Sequence, residues 1–496
     1  MSIARRARDA FERFAPRAFL LEEDGAVTWG QLGDMTDRLA AHLRERGVSP
    51  GDRVLVALPN SRWCMAAYLA TWHIGATLVA VNPSLTRREL AYQIGHSRPR
   101  AIVASAARIE VAWDAEREAD TCVEVWLSDG EAAGAVDLRA LPPRAATPPA
   151  GDDHPAAILY TSGTTGRPKG AVLGHNGILW AQERWRDCLG LSQEDVGYLG
   201  LPIFHSYGLI LLFIEALLTG HPVVLRSGFE FPRFLRLLAD HRVTFFPAVP
   251  PVFQAIAALR WDERAHDLSA LRLIVSGAAP IPEATMRRAQ ERLGGPIYQE
   301  AYGITETSTV ITCGPLGGTP YGSCGRAVPG VEIQIAGRDG GQRPTGKQGE
   351  VRVRTPGIML GYLDDHKATE EALAGGWYHT GDVGYIDDDG FLFLVDRLTD
   401  VILVNGENVY PREIEEVIAR YPGVARCAVV RMKLDSTGEA PHAFLVAEPG
   451  RTIRVPELMA YLRQHLAIFK LPRRVEIVDE IPTSPSGKIL RRGLRV

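Results

Sequence analysis

Residues 156–170 constrain the chain more than any other stretch. A short apolar run, Ala156-Ala-Ile-Leu159, leads into Tyr160-Thr-Ser-Gly-Thr-Thr-Gly-Arg-Pro-Lys-Gly170. The run reads as a strand. The following segment holds hydroxyls at Thr161, Ser162, Thr164 and Thr165, glycines at Gly163, Gly166 and Gly170, and an ammonium at Lys169. Glycines let backbone N–H groups approach a ligand with no Cβ in the way. Hydroxyls and a lysine add donors, so the loop suits a polyphosphate. The same composition also makes polar surface turns. The commonest phosphate loop is excluded by spacing, because its lysine follows a glycine and precedes Ser or Thr. Lys169 instead follows Pro168 and precedes Gly170.

The strand ahead of this loop belongs to a longer alternation. Thr28 can cap a helix whose apolar positions Leu32, Met35, Leu39 and Leu43 share one face, with Gly47 and Pro50 ending it. Strands are expected at Val54–Leu58, Thr77–Val81 and Ala101–Ala104, with helices at Met65–His73 and Thr86–Ile94. Such alternation predicts α/β layers, helices packed on sheets. Leu141 to Asp153, rich in Pro, Ala and Gly, reads as a connector.

The chain has 496 residues, which implies more than one domain. A net charge of -4 and the absence of any dense basic block give no nucleic-acid or membrane-surface footprint. Met1 to Arg8 is basic with no apolar signal core behind it, so a cytoplasmic location is expected. The longest apolar run, Leu209 to Leu218, is broken by Glu215 and too short to span a bilayer. Six cysteines form no Cys-x-x-Cys pair and read as reduced thiols. Lysine is scarce: of six, Lys169 and Lys488 stand beside glycines, where a compact ammonium suits a phosphate or carboxylate oxygen.

Further along, Leu201-Pro-Ile-Phe-His-Ser-Tyr-Gly-Leu209 sets His205 among apolar neighbours, either as a packed core residue or as a reagent. Val243–Val249 and Leu271–Val275 read as buried strands, the second ending in the turn Ser276-Gly-Ala-Ala-Pro280 before a helix from Pro282 to Leu293. Gln299-Glu-Ala-Tyr-Gly-Ile-Thr-Glu-Thr307 places two acids around an aromatic and a glycine. Thr380-Gly-Asp382 reads by itself as a turn. From Val401 the chain supports a small α+β unit: a helix at Arg412–Tyr421, strands at Val429 and Leu445, a helix at Val455–Leu466, and a basic tail around Gly487-Lys488.

These motifs, in this order, resemble the adenylate-forming enzymes: acyl-CoA synthetases, peptide-synthetase adenylation domains and luciferases. The resemblance runs from about residue 25 to 492 and lies nearest the acyl-CoA synthetase type. It implies a large multi-layer α/β domain over residues 1–396, a hinge at 397–400 and a small mobile α+β domain over 401–496. It implies ATP/AMP contacts from Thr161 to Gly166, Lys169, Gly277, Ala278, Ala279, Glu300 and Ala301. Tyr302 would stack on adenine with Gly303 beside it, Thr305 meet the α-phosphate, Asp382 take the ribose hydroxyls and Arg397 contact the nucleotide. Glu306, with Thr161, would hold Mg²⁺. The acyl pocket would be Phe204, His205, Tyr207, Gly208, Val249, Gly277 and Ile304, with His205, Thr161 and Glu306 counted as catalytic. Lys488 would be swung in for adenylation, and Asn405, Gly406 and Glu407 would line the CoA tunnel. The family hinge is usually Asp or Lys two residues past the matching arginine; here that residue is Thr399 and Asp400 follows, so either marks the hinge.

Amino-acid-activating members carry Phe-Asp where this chain has Phe204-His205. With no carboxylate to offset an ammonium's desolvation, amino acids are disfavoured. The expected activity is ATP- and Mg²⁺-dependent formation of acyl-AMP and then acyl-CoA, with an aliphatic fatty acid as substrate. Aryl acids such as cinnamates, or a carrier-protein phosphopantetheine as acceptor, are the rivals. The compact Arg354–Asp396 segment speaks against the insertion that fatty-acyl-AMP ligases carry. No carrier-attachment motif occurs, and no further module is expected after Val496; monomer and homodimer stay open. A luciferase-type oxygenase has nothing selecting for it, and intact Thr161, Glu306, Asp382 and Lys488 disfavour a non-catalytic module. A serine hydrolase is disfavoured because no Gly-x-Ser-x-Gly occurs.

Overall fold

The computed structural model describes residues 2–121, 123–146, 154–161, 167–337, 339–404, 407–434, 438–483 and 489–494, with backbone alone at 407, 408, 434, 438 and 492. Two large sheets carry most of it. One has eight strands; its central members Ala157–Thr161, Thr77–Ala80, Arg53–Ala57, Ala101–Ala104 and Val125–Ser128 run parallel, and Lys169–Leu173 and Gly361–Tyr362 close one edge antiparallel. The other has nine strands, with Phe245–Ala248, Leu273–Ser276 and Ile297–Tyr302 adjacent and parallel. Parallel strands need crossover helices, which cover both faces of the sheets.

Local chemistry explains the helices between them. Thr28 caps Trp29–Glu45 and Thr86 caps Arg87–Ser97, each in a reciprocal capping box, with Gln31 and with Glu89. Each such cap stabilises its helix by about 1 kcal/mol. Leu32, Leu39 and Leu43 are buried along one face, as their spacing requires. Truncating one of them would cost about 2–5 kcal/mol in a core this closely packed.

The basic N-terminal segment, expected only to lack a signal core, forms the helix Ile3–Phe14 with Ile3, Phe11 and Phe14 buried. The apolar run after Tyr207 is interior packing rather than surface: Leu209–Ile214 forms a wide π-type turn with every residue buried. Glu215, which interrupts that run in sequence, is fully buried against His221 at 2.9 Å. Burial pushes the His221 imidazole down, but the Glu215 carboxylate outweighs it and leaves the ring above its ordinary value. No described helix is long and apolar enough to cross a membrane.

A four-stranded antiparallel sheet, Glu332–Ala336, Gly349–Arg354, Tyr378–Ile386 and Leu392–Arg397, leads toward the C-terminal part. Beyond it, Ile402–Val404, Glu407–Val409, Val424–Leu434, Gly438–Ala447 and Arg474–Ile477 form a separate sheet. Helices Pro411–Ile418 and Val455–His465 accompany that sheet. One buried cluster there draws only on residues 402–466, so this smaller α+β unit has an interior of its own beside the large α/β body.

Candidate active site

Three sheets deliver the expected residues to one place. Strands Leu273–Ser276 and Ile297–Tyr302 lie in parallel register, Ser276 opposite Glu300, so Gly277–Ala279 and Ala301–Thr305 leave the same carboxyl edge. Thr161 ends its strand at the corresponding edge of the eight-stranded sheet. Ligands of open α/β sheets bind outside such carboxyl ends. A hydrogen bond joins the two edges: the Thr161 hydroxyl donates to Glu306 Oε1 at 3.2 Å.

The turn carrying Glu306 is sterically demanding. A Cβ at Gly303 would fall on the Thr309 carbonyl oxygen, so only glycine fits there. After the short helical turn Thr305–Thr307, Ser308 and the β-branched Thr309 take φ of 50° and 83°. Ala278, in the neighbouring turn, sits at φ 70°. Non-glycine residues in this region cost about 1–2 kcal/mol each, and such strain clusters at functional sites. Hydrogen bonds hold the turn: Thr307 Oγ1 donates to the Ile304 carbonyl and Ser308 Oγ to the Gly357 carbonyl.

Glu306 is buried, and Tyr362 also donates to its Oε1, at 2.9 Å. Lys169 lies over the Tyr362 ring at 4.9 Å, bringing the one lysine of the glycine-rich loop to the same corner. Sequence reasoning gave Tyr362 no role; its antiparallel pairing with Ala171, two residues past Lys169, is the signal that could have found it. Ser206 was likewise missed, and its hydroxyl lies 3.2 Å from that of Thr305. Among the described residues no cluster of three or more acidic, histidine or cysteine side chains makes a ready metal cage. A buried carboxylate beside a hydroxyl fits Mg²⁺, a hard ion that takes few protein ligands and fills its shell with phosphate oxygens and water.

On the third sheet, Asp382 is nearly buried and accepts from the Tyr302 hydroxyl at 2.6 Å and Arg397 Nε at 2.8 Å. Its carboxylate therefore ties the nine-stranded sheet to the last strand before the small unit. Glu300 is buried and accepts from the Tyr298 hydroxyl. Burial pushes its carboxyl up to about 8, so at neutral pH it is mostly protonated.

Beside this site, Phe204, Tyr207, Val249, Ala301 and Ile304 are half-buried and pack on the largest core cluster, as the lining of a pocket would. By contrast Ile210, Leu211, Phe213, Phe245 and Phe246, whose apolarity would suit an acyl tunnel as well as plain core, are core. His205 stacks at a tilt on Phe204, ring centres 4.7 Å apart. Gly208 is required by the close Pro202 carbonyl. Tyr207 stands edge-on to Trp185, and its ring and hydroxyl lie 3.2–3.3 Å from where a Cβ on Gly277 would be. That hydroxyl is buried and has no hydrogen-bond partner among the described residues; neither does the fully buried Ser276 hydroxyl next to Gly277. Burial holds the Tyr207 phenol well above its ordinary value, so it remains a neutral donor. Ser162, Gly163, Thr164, Thr165, Gly166, Asn405, Gly406, Lys488 and the Glu407 side chain lie outside the described residues, as does Cys122.

Residues 6–363 match the AMP-binding enzyme family and 413–488 match the AMP-binding enzyme C-terminal domain. A feruloyl-CoA synthase of Amycolatopsis sp is 36% identical over 487 residues, covering 97% of this chain and 96% of its own. The 3-[(3aS,4S,7aS)-7a-methyl-1,5-dioxo-octahydro-1H-inden-4-yl]propanoyl:CoA ligase of Mycobacterium tuberculosis is 37% identical over 499 residues, covering 96% and 95%. The crystal structure of a benzoate CoA ligase from Burkholderia xenovorans LB400 superposes with a TM-score of 0.90 at 26% identity, covering all of both chains.

Proposed function

The chain belongs to the AMP-binding enzyme family, the adenylate-forming acyl-CoA synthetases, and from that premise we propose that its acid substrate is an aryl acid carrying a polar ring substituent. ATP-dependent ligation of a carboxylic acid to CoA, through an acyl-adenylate, is the activity. The observation that carries the choice of acid is the buried Tyr207 hydroxyl, which has no hydrogen-bond partner among the described residues and belongs to the half-buried lining. A buried donor left unsatisfied costs about 1–3 kcal/mol, which an oxygen on the bound acid would relieve. An unbranched aliphatic tail offers no such oxygen, and the feruloyl and benzoate relatives support the aryl choice over the fatty acid expected from sequence. A ketone on a fused-ring acid could meet the same donor, and the propanoyl:CoA ligase relative makes that the second reading.

Attack of a carboxylate on the α-phosphorus of ATP brings two anions together, so the site must neutralise charge and align the nucleophile. Glu306, with the Thr161 hydroxyl beside it, would hold Mg²⁺, which would supply charge neutralisation on the phosphates. Lys169 adds an ammonium at the same corner, and Thr305 a hydroxyl backed by Ser206. Asp382, oriented by Tyr302 and Arg397, offers two oxygens to the ribose hydroxyls. Tyr302 would lie along adenine, and Gly277 leaves room for the acyl group against Tyr207. We assign Lys488 to the adenylation step, and Asn405, Gly406 and Glu407 to the CoA passage. The two steps would alternate by rotation of the unit after Asp400 about Thr399–Asp400.

Pyrophosphate release measured across ferulate, benzoate, the fused-ring keto acid, hexanoate and dodecanoate, with CoA and with a phosphopantetheinyl carrier protein as acceptors, tests this. At least a tenfold advantage in kcat/KM for an oxygen-bearing ring acid with CoA is expected. Preference for either fatty acid would overturn the choice of substrate.

A further inference from the structure

Two arginines of the small unit grip the residues on which it would turn. Arg431 Nη2 donates to the Thr399 carbonyl at 3.0 Å, and Arg491 Nη1 lies 3.3 Å from the Asp400 carboxylate. Arg491 does more than this. Its Nη2 bonds both oxygens of Glu415 at 2.8 and 2.9 Å, and its Nε donates to the Val429 carbonyl at 3.2 Å. One side chain therefore joins the hinge, the helix Pro411–Ile418 and the strand Val424–Leu434. Its side chain is 20% exposed and those of its carboxylate partners 18% and 13%, so these bonds are sheltered from competing water. Charge-assisted bonds of this kind are the strong ones.

The position of Arg491 in the chain gives this grip its consequence. The chain leaves the described residues at Thr483 and re-enters at Ile489, and those two residues pair as an antiparallel bridge. Leu490 N donates to the Pro482 carbonyl at 2.8 Å, beside that bridge. Ile489 packs against the buried cluster of Ala428, Val430, Phe444, Ile481 and Leu494. Arg491 follows at once, three residues from Lys488, a span of at most about 10 Å of extended chain.

We infer that Arg491 is a positioning residue for adenylation: by bonding Asp400 and Glu415 together, it sets where the paired Thr483 and Ile489, on either side of Lys488 in sequence, stand relative to the hinge. This rests on the assignment of Lys488 to the adenylation step. Arg491 touches no reacting atom in this role. It acts through the place at which Thr483 and Ile489 are held, so its loss falls on the step that uses Lys488 and spares the step that does not. A lysine at 491 keeps the charge but, as a point donor, cannot reach Asp400, both Glu415 oxygens and the Val429 carbonyl together.

Both half-reactions are measured on the full-length enzyme: ATP–pyrophosphate exchange with ferulate, or with benzoate if the survey ranks it higher, and thioester formation from CoA and the pre-formed acyl-adenylate of the same acid. The ratio of the two rates does not depend on the folded fraction, so a variant that folds poorly still reports. In Lys488→Ala the ratio should fall about 10²–10³-fold, the usual loss for one aimed charge. Arg491→Ala should lower it at least tenfold, Arg491→Lys should lower it by a smaller factor, and Lys488→Ala/Arg491→Ala should fall no lower than Lys488→Ala alone. A lowered ratio in Lys488→Ala with a wild-type ratio in Arg491→Ala overturns the inference and leaves the Lys488 assignment standing. A wild-type ratio in Lys488→Ala overturns both. A wild-type ratio in Arg491→Lys, beside a loss in Arg491→Ala, assigns the effect to charge alone and overturns the bridging role.

Discussion

Thr161 and Glu306, separated by 145 residues of chain, meet at 3.2 Å across the gap between two sheets. The hydroxyl comes from the edge of one sheet and the carboxylate from beyond the edge of the other, so the proposed phosphate and metal site needs both. Glu306→Gln keeps the shape and the acceptor oxygen but removes the charge. Activity should fall about 10²–10³-fold, and the Mg²⁺ concentration for half-maximal rate should rise. An unchanged Mg²⁺ titration would remove Glu306 from the site.

Tyr362 donates to the same oxygen of Glu306 as Thr161 does, and its hydroxyl also meets that of Tyr378. Tyr362→Phe should therefore reduce kcat by a factor of about 5–10, equivalent to about 1 kcal/mol for one hydrogen bond, with little change in KM for the acid. If KM for the acid shifts instead, Tyr362 shapes the pocket rather than the carboxylate.

The Tyr207 hydroxyl gives a prediction with two signs. Tyr207→Phe removes a buried donor that has no described partner, so the free enzyme should become more stable by about 1 kcal/mol. The same change should cut discrimination between acids with and without a ring oxygen by about tenfold or more. Thermal midpoints and kcat/KM for a matched pair of acids, one bearing a single extra ring hydroxyl, check both halves. A less stable variant with unaltered preference would show that the hydroxyl already has its partner within the protein.

Glu300 makes stability depend on pH. Its carboxyl is raised from an ordinary 4.5 to about 8 by burial, so the fold keeps it protonated while the unfolded chain ionises. The stabilisation is fully present below about 4.5 and drains away as pH rises to about 8, by about 1.4 kcal/mol for each pH unit crossed. Glu300→Gln abolishes that loss. The variant should melt higher than the wild type at pH 8 and lose the advantage at pH 4.5; parallel melting curves at both values would place the raised group elsewhere.

How much of this was legible in the sequence depended on whether the signal was local. Thr28 announced its helix as a cap and Thr86 carries the same signal, because a capping box needs only residues three apart. Glycine at 303 could be read as part of a motif, yet its cause, the Thr309 carbonyl six residues on, requires the strained turn to be seen. The Tyr302–Asp382 and Tyr362–Glu306 bonds join residues 80 and 56 positions apart, and nothing in the spacing encodes such meetings. Apolarity misleads in the same way: Phe213 and Phe245 look as fit for an acyl tunnel as Phe204 does, and only burial separates interior from lining. The fatty-acid expectation rests on that ambiguity, because the greasy residues near His205 count together in sequence while much of that set is interior.

Arg397 ends its strand while its guanidinium still holds Asp382, and the chain turns toward the small unit within the next few residues. A swing of that unit about Thr399–Asp400 would therefore tug on the carboxylate proposed to clasp the sugar. Letting go of spent AMP and changing posture would then be one mechanical event, with a single ion pair as the string between them.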